Sequence, residues 1–298
     1  MYNKPVNTNI LVIGGSGFMG SHTADELSNR GYKVKIFDSQ QSNYIRKDQI
    51  FIKGSVLDED ELAAALDGIT IVYYFAGIAE IKKAKDNPID TINLNVMGLT
   101  KTLDVCIQKK IRRFVYASTM YVHSNYGSFY RASKQAAEII IRAFNEKYEI
   151  DYSLLRYGSL YGSRSQDWNG IYSFIKQIIN ESKIDYAGNG EELREYINVK
   201  DAAKLSVDIL DERYANKAIN VSGQQMLRVS ELIDLIFEIL GKEKKIIYQS
   251  KMNLQDHYGN TPYRFTPQSA IKLVPQEYVD LSQGLFDLIS EIEHSNDH

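Results

Sequence analysis

A short strand signature at residues 9–13 (NILVI) runs into Gly14-Gly15-Ser16-Gly17-Phe18-Met19-Gly20 and then into a helix expected from about Ser21. Read from Gly15 the turn fits G-x-G-x-x-G, and read from Gly14 it fits G-x-x-G-x-x-G. Glycines at these places permit a tight turn and let backbone N–H groups approach a pyrophosphate at a helix N-terminus, where the dipole favours anions. A glycine pattern alone is a weak signal. Here the next strand signature ends in Asp38, 18 residues beyond Gly20, close to the roughly 20 expected for the acid that holds an adenosine ribose. A carboxylate at that place repels a 2′-phosphate, so NAD is expected rather than NADP. The competing reading, a glycine-rich connection and an unrelated surface aspartate, lacks a reason for the strand–helix–strand context.

The rest of the first half repeats the alternation. Residues 33–37, 50–53, 69–75 and 113–117 are β-rich runs, and helix-length segments lie at 58–66, 89–109 and 130–148. Such alternation implies a parallel sheet covered on both faces. Beyond a further strand at 150–156 the rhythm loosens, with helices expected at 171–180, 201–210 and 229–240. The fold class expected is therefore α/β: a Rossmann-type doubly wound parallel sheet over 1–157 and a smaller C-terminal α/β substrate lobe over 158–298, some of whose segments return to the first domain. With 298 residues and a 44% apolar share the chain can bury a sizeable core. A formal charge of −3 lacks the basic excess that nucleic acid rewards, so any anionic substrate must be met by a few placed cations. Cys106, the only cysteine, reads as a small buried hydrophobe in a reducing compartment. The longest apolar run, about 69–79, is too short to span a bilayer, and the polar start does not read as a signal peptide. A cytoplasmic protein without membrane, nucleic-acid or metal partners is expected.

Tyr130 and Lys134, in YRASK (130–134), stand four positions apart at the head of a predicted helix and therefore share one face. A phenol with an ordinary pKa of about 10 needs a neighbouring positive charge to trade protons near neutrality, and Lys134 can supply it. The strand before this helix ends in Ser118-Thr119, which offers a hydroxyl for the same substrate oxygen. An isolated Y-x-x-x-K arises by chance on many helix surfaces. Its place after the fifth strand of a dinucleotide-binding pattern favours chemistry.

With these residues in view the chain resembles the extended short-chain dehydrogenase/reductase superfamily, in particular its NAD-dependent nucleotide-sugar epimerases and dehydratases, such as UDP-galactose 4-epimerase-like enzymes. The matching segments are GGSGFMG (14–20), FAG (75–77), NLNVMG (93–98), RRFVYAST (112–119), YRASK (130–134), LRYGSLYG (155–162), GNGEELREYINVKDAA (188–203) and NVSG (220–223). The resemblance implies a cofactor site drawn from Gly14, Gly17, Phe18, Met19, Gly20, Asp38, Ser39, Ser55, Val56, Phe75, Ala76, Gly77, Asn95, Ala117 and Tyr157, with Lys134 and Tyr130 also at the nicotinamide ribose. It implies Thr119, Tyr130 and Lys134 as the catalytic set. Arg194 falls where relatives keep an arginine for the substrate diphosphate; without the resemblance it reads as half of a surface ion pair with its glutamate neighbours. The substrate side is completed by Thr119, His123, Ser159 and, within YGNTPYRF (258–265), Arg264. In relatives the helices corresponding to 89–109 and 130–148 form a dimer interface, so a homodimer is expected.

The departures from the family pattern bear on activity. Ser55 replaces the acid that often contacts adenine. After Thr119, where sugar 4,6-dehydratases carry an acidic pair, stand Met120 and Tyr121. The usual V-Y-G has become Val122-His123-Ser124, and only 11 positions separate Thr119 from Tyr130, fewer than is usual. His123 reads either as a pocket donor or as a solvated loop residue. The reading is hydride transfer at a carbon of a nucleotide-diphosphate sugar, expected at C4, without dehydration. Epimerase, net 4-dehydrogenase and ketoreductase remain open, with a non-sugar alcohol dehydrogenase or a non-catalytic NAD-binding sensor as more distant alternatives.

Overall fold

The structure is a computed structural model that describes residues 8–224, 226–249 and 271–295. The first half contains β1 (Asn9–Ile13), α1 (Phe18–Asn29), β2 (Lys33–Asp38), β3 (Gln49–Lys53), α2 (Glu59–Ala65), β4 (Ile71–Tyr74), α3 (Ile81–Asp86), α4 (Pro88–Ile92), α5 (Gly98–Gln108), β5 (Arg113–Thr119), α6 (Ser128–Tyr148) and β6 (Asp151–Tyr157). The second half adds β7 (Ser159–Tyr161), α7 (Gly170–Glu181), β8 (Ile184–Tyr186), β9 (Leu193–Asn198), α8 (Val199–Asp208), β10 (Lys217–Val221), β11 (Met226–Arg228), α9 (Val229–Ile239), β12 (Ile246–Tyr248), β13 (Ile271–Leu273) and α10 (Leu281–Ser295). Among the described residues no helix is long and apolar enough to cross a membrane.

The main sheet has eight parallel strands in the order β13-β10-β6-β5-β4-β1-β2-β3. Order reverses between β1 and β4, the place where an open α/β sheet leaves a crevice at its strand ends. Both faces are covered, so the strands are apolar almost throughout. Along β1, Ile10 and Val12 join Ala24, Leu27, Ala202 and Leu205 from α1 and α8. Leu11 and Ile13 turn the other way, to Leu62, Leu99, Leu103, Ala137 and Ile141 from α2, α5 and α6. Each fully buried aliphatic side chain of this kind contributes roughly 1.5–3 kcal/mol. Cys106 lies inside the second of these cores, as its setting predicts.

A third core joins α7, α9 and α10 through Ile175, Ile178, Leu232, Ile236, Leu285 and Leu288. Two small sheets, β11-β9-β7 and β12-β8, accompany it. The second half also returns to the main sheet, since β10 pairs with β6, and β13 with β10. The helix expected over 89–109 is broken in two. Between α4 and α5, residues Asn93–Met97 widen into a π turn, and the reason is tertiary: Asn95 is held from outside its own helix, as described below.

His22 on α1 is buried, with Nε2 3.0 Å from the Ser163 carbonyl beyond β7. Burial pulls its pKa from 6.5 to about 4, despite the opposing backbone hydrogen bond. The unfolded chain therefore binds a proton below about 6.5 that the folded chain refuses until about 4, and stability falls as pH drops through that window. The loss is on the order of 3 kcal/mol. His22→Gln, which keeps a donor for Ser163 but does not titrate, is expected to flatten the decline of Tm between about pH 6.5 and 4.5. Equal slopes in the two proteins would show that another group carries the acid sensitivity.

Candidate active site

The glycine turn is built for backbone approach. Gly14 has φ +77° and lies so close to the chain after β4 that a Cβ would come within 2.6 Å of Ala76 N, while a Cβ on Gly20 would sit 2.2 Å from Gly14 O. Those two glycines are demanded by packing alone. Gly17 is different: an added Cβ would meet only Gly14 O, at 3.4 Å, so its smallness leaves space in front of the helix. It is the N-cap of α1 and provides no side-chain cap. The first-turn amides of Phe18, Met19 and Gly20, which no carbonyl of their own helix can reach, thus face an open approach. Asp38, at the end of β2, accepts from Ser16 N at 3.0 Å and from Gln40 N at 3.2 Å, with Ser39 between them in the chain. Ser16 Oγ is buried without a hydrogen-bond partner. Open helix amides, an unpartnered hydroxyl and a carboxylate at the next strand end are a donor and acceptor set that fits a dinucleotide.

Phe75, Ala76 and Gly77 continue this wall after β4. Gly77, at φ +139°, leaves room for Asn95, whose Oδ1 accepts from Ile78 N at 2.7 Å and whose Nδ2 donates to Ile78 O at 3.0 Å and Ser133 Oγ at 2.9 Å. Asn95 thus ties the FAG loop to α6, and the π turn is the local distortion that lets it reach both; such turns recur at functional sites. Val56 is buried against Gly98. Ser55 N donates to Glu61 Oε2 at 2.8 Å, so the segment lacking the family's acid borrows a carboxylate from the first turn of α2.

The buried stripe of α6 is Tyr130, Ser133, Lys134, Ala137, Glu138 and Ile141, the i, i+3, i+4 spacing of one helix face. Four of these six are polar, an arrangement that costs free energy unless every group is bonded. Ser133 Oγ donates to Tyr130 O at 2.8 Å. Lys134 Nζ donates to Ala117 O at 2.7 Å and stands 4.7 Å from the Tyr116 ring centroid and 6.0 Å from that of Tyr130. Burial lowers the Lys134 pKa from 10.5 to about 8, against the pull of Glu138 in the other direction. Thr119, two residues beyond Ala117, closes β5, and its Oγ1 accepts from Tyr121 N at 3.3 Å. Thr119 thus closes the strand whose Ala117 carbonyl holds the Lys134 ammonium, with the Tyr130 ring 6.0 Å from that ammonium.

The other expected site residues stand on further elements. Tyr157 pairs with Thr119 in register, but its hydroxyl turns into the core, 2.6 Å from Ser206 Oγ on α8, and burial raises its pKa. Ser159 and Arg194 sit on the small sheet: Ser159 is opposite Tyr196, and Arg194 opposite Leu227. His123 ends the short turn Met120–His123, with Nε2 3.0 Å from Arg156 Nη1. Arg264 lies outside the described residues. Sequence reasoning missed Glu138, Arg156 and Ser118, which form a buried cluster directly behind Lys134. The signal available was a glutamate one turn after Lys134 on the same helix face.

The fold and these residues define a dinucleotide-binding α/β scaffold with a tyrosine and a lysine on one buried helix face beside the end of β5. Residues 10–222 match the NAD dependent epimerase/dehydratase family, and the chain belongs to that family. A putative UDP-glucose 4-epimerase of Methanocaldococcus jannaschii is 30% identical over 312 residues, covering 96% of this chain and 99% of the relative. A UDP-N-acetyl-alpha-D-glucosaminuronate decarboxylase of Bacillus cytotoxicus is 24% identical, covering 95% and 98%. In fold, the chain matches the UDP-glucuronic acid 4-epimerase of Bacillus cereus, solved with UDP-glucuronic acid and NAD, at a TM-score of 0.84 and 21% identity over 97% of this chain and 100% of that one.

Proposed function

We propose that the protein is a nucleotide-sugar 4-epimerase that acts on a UDP-hexose with NAD as resident cofactor. The observation that supports this most is the buried polar stripe of α6, which carries Tyr130 and Lys134, with Lys134 bonded to Ala117 O two residues before Thr119. NAD, when bound, supplies the acceptor and later the donor of a hydride. With NAD bound, Tyr130 would take the proton of the sugar hydroxyl, Lys134 would hold positive charge beside the developing phenolate, and Thr119 would share a hydrogen bond with the same oxygen. If the keto sugar turned over in the site, Tyr130 would return the proton to the same oxygen on the opposite face, completing inversion. Asp38 holds the adenosine ribose and disfavours a 2′-phosphate, the amides of Phe18, Met19 and Gly20 hold the pyrophosphate, and Asn95 keeps the intervening loop in place. Arg194 supplies the cation for the UDP diphosphate, an interaction strengthened by charge, and Ser159 lines the sugar side.

The exposed Ile89, Ile92, Met97 and Ile139 along α4, the π turn and α6 support a homodimer through these helices. The test of the activity is incubation with UDP-glucose and with UDP-glucuronic acid, reading the configuration at C4 by NMR. Appearance of the C4 epimer is the expected result. A product left at the keto level would replace this reading with net oxidation.

A further inference from the structure

Ser118, between the Lys134-bonded Ala117 and Thr119, pairs in register with Arg156 on β6. Neighbours in a parallel register point to the same face of the sheet, and both meet Glu138 of α6. Glu138 Oε1 accepts from Ser118 Oγ at 2.6 Å and Arg156 Nε at 2.9 Å, and Oε2 accepts from Arg156 Nη2 at 2.6 Å. Both partners of this ion pair are almost wholly buried. Arg156 keeps one further arm, Nη1, which lies 3.0 Å from His123 Nε2. A guanidinium only donates, so His123 must accept at Nε2 and carry its proton on Nδ1 as a neutral imidazole. The turn 120–123 is also gripped from α6 by Gln135 Nε2 on Val122 O, and Arg131 Nη1 holds Ser124 O just beyond it, each at 2.9 Å.

We propose that His123 is a positioning residue for the reaction proposed above: through Arg156 and Glu138 its Nε2 ties the turn that follows Thr119 to the helix that carries Tyr130 and Lys134. The proposal rests on that reaction only for its consequence in turnover; the tie itself is independent of substrate. It also reassigns His123, whose Nε2 is engaged by Arg156 rather than offered to the sugar. Arg156 from β6 faces the imidazole directly, its other nitrogens held by Glu138, which also pairs with Arg142 on α6. Protonation at Nε2 sets one N–H against another next to a guanidinium and opens the tie. A glutamine at 123 can accept through its amide oxygen and does not titrate.

The test compares wild type, His123→Ala and His123→Gln as full chains with UDP-glucose and UDP-glucuronic acid, measuring kcat and KM from about pH 5 to 8. His123→Ala is expected to lose about tenfold in kcat with KM changed by less than about twofold, as befits misplacement of the site rather than loss of a binding contact. His123→Gln is expected to recover most of kcat. Wild-type kcat in His123→Ala, or failure of His123→Gln to rescue, would overturn the proposal. Independently, 15N NMR of the imidazole without substrate should find His123 neutral and protonated on Nδ1, and protonation on Nε2 would refute the tie. Wild type inert toward both sugars would refute the reaction reading, while the imidazole signal would still decide the tie.

Discussion

Tyr130→Phe is expected to lower turnover by about 10²–10⁴, the usual worth of a general acid–base group, while leaving fold and NAD affinity as they are. The ring of Tyr130 belongs to a small apolar cluster with Ile78, Ile81 and Ala84, and phenylalanine preserves those contacts. Only the titrating oxygen is removed. Lys134 stays at its place, because its ammonium is held by Ala117 O rather than by the phenol. The measurement is single-turnover reduction of bound NAD by the accepted UDP-sugar, with calorimetric titration of NAD as control. Near-normal reduction would remove Tyr130 from the mechanism; lost NAD binding would show that the ring oxygen holds the cofactor instead.

Stability gives no reason to keep Lys134 where it is. Burial lowers its pKa from 10.5 to about 8, so between those values the unfolded chain binds a proton that the folded chain does not. Stability rises with pH through that window, and below about 8 the buried charge is a net cost. Glu138 offsets part of that cost, and its own carboxyl is held below the usual range: burial acts against this, but the hydrogen bonds and charge of Arg156 outweigh it. A cation retained against its desolvation, one helical turn from a phenol, is what the proton-transfer role proposed for the pair requires.

What was legible in the sequence was local in the chain. The glycine turn and Asp38 could be read because each needs a residue type at a set spacing, and the structure has Asp38 hydrogen-bonded to the turn through Ser16 N. YRASK could be read because helical periodicity puts Tyr130 and Lys134 on one stripe. Contacts set by register were not legible: Ser118 meets Arg156 only because β5 and β6 pair in parallel with that alignment, and a one-residue slip would send Arg156 to the other face. The break after α4 was hidden for a similar reason. Residues 89–109 have good helical character, and only the demand of Ile78 and Ser133 on Asn95 reveals why the helix widens there. That some later segments return to the first domain was expected; that they are β10 and β13 has no local marker, because short apolar strands look alike wherever they dock.

The product is expected to retain every oxygen of the substrate. Elimination of water from a keto sugar needs an acid to protonate the departing hydroxyl and a base to take the neighbouring proton. In this chain the turn after Thr119 presents Met120, Tyr121, Val122 and His123, with no carboxylate among them. Met120 is wholly buried, and a thioether can neither give nor take a proton at neutral pH. Tyr121 does reach the site: its ring stands edge-on to Tyr130 at 6.0 Å, packed against Gly127 and the cluster around Ile78. The Lys134 ammonium lies over the rings of Tyr116 and Tyr130, not over that of Tyr121. His123 Nε2 is engaged by Arg156. Mass spectrometry of the product from an accepted UDP-sugar decides the matter. Unchanged mass accords with epimerisation, a loss of two hydrogens with net oxidation, and a gain of two with reduction of a keto sugar. Loss of one water would defeat the prediction and would require an acid and base from outside the turn 120–123.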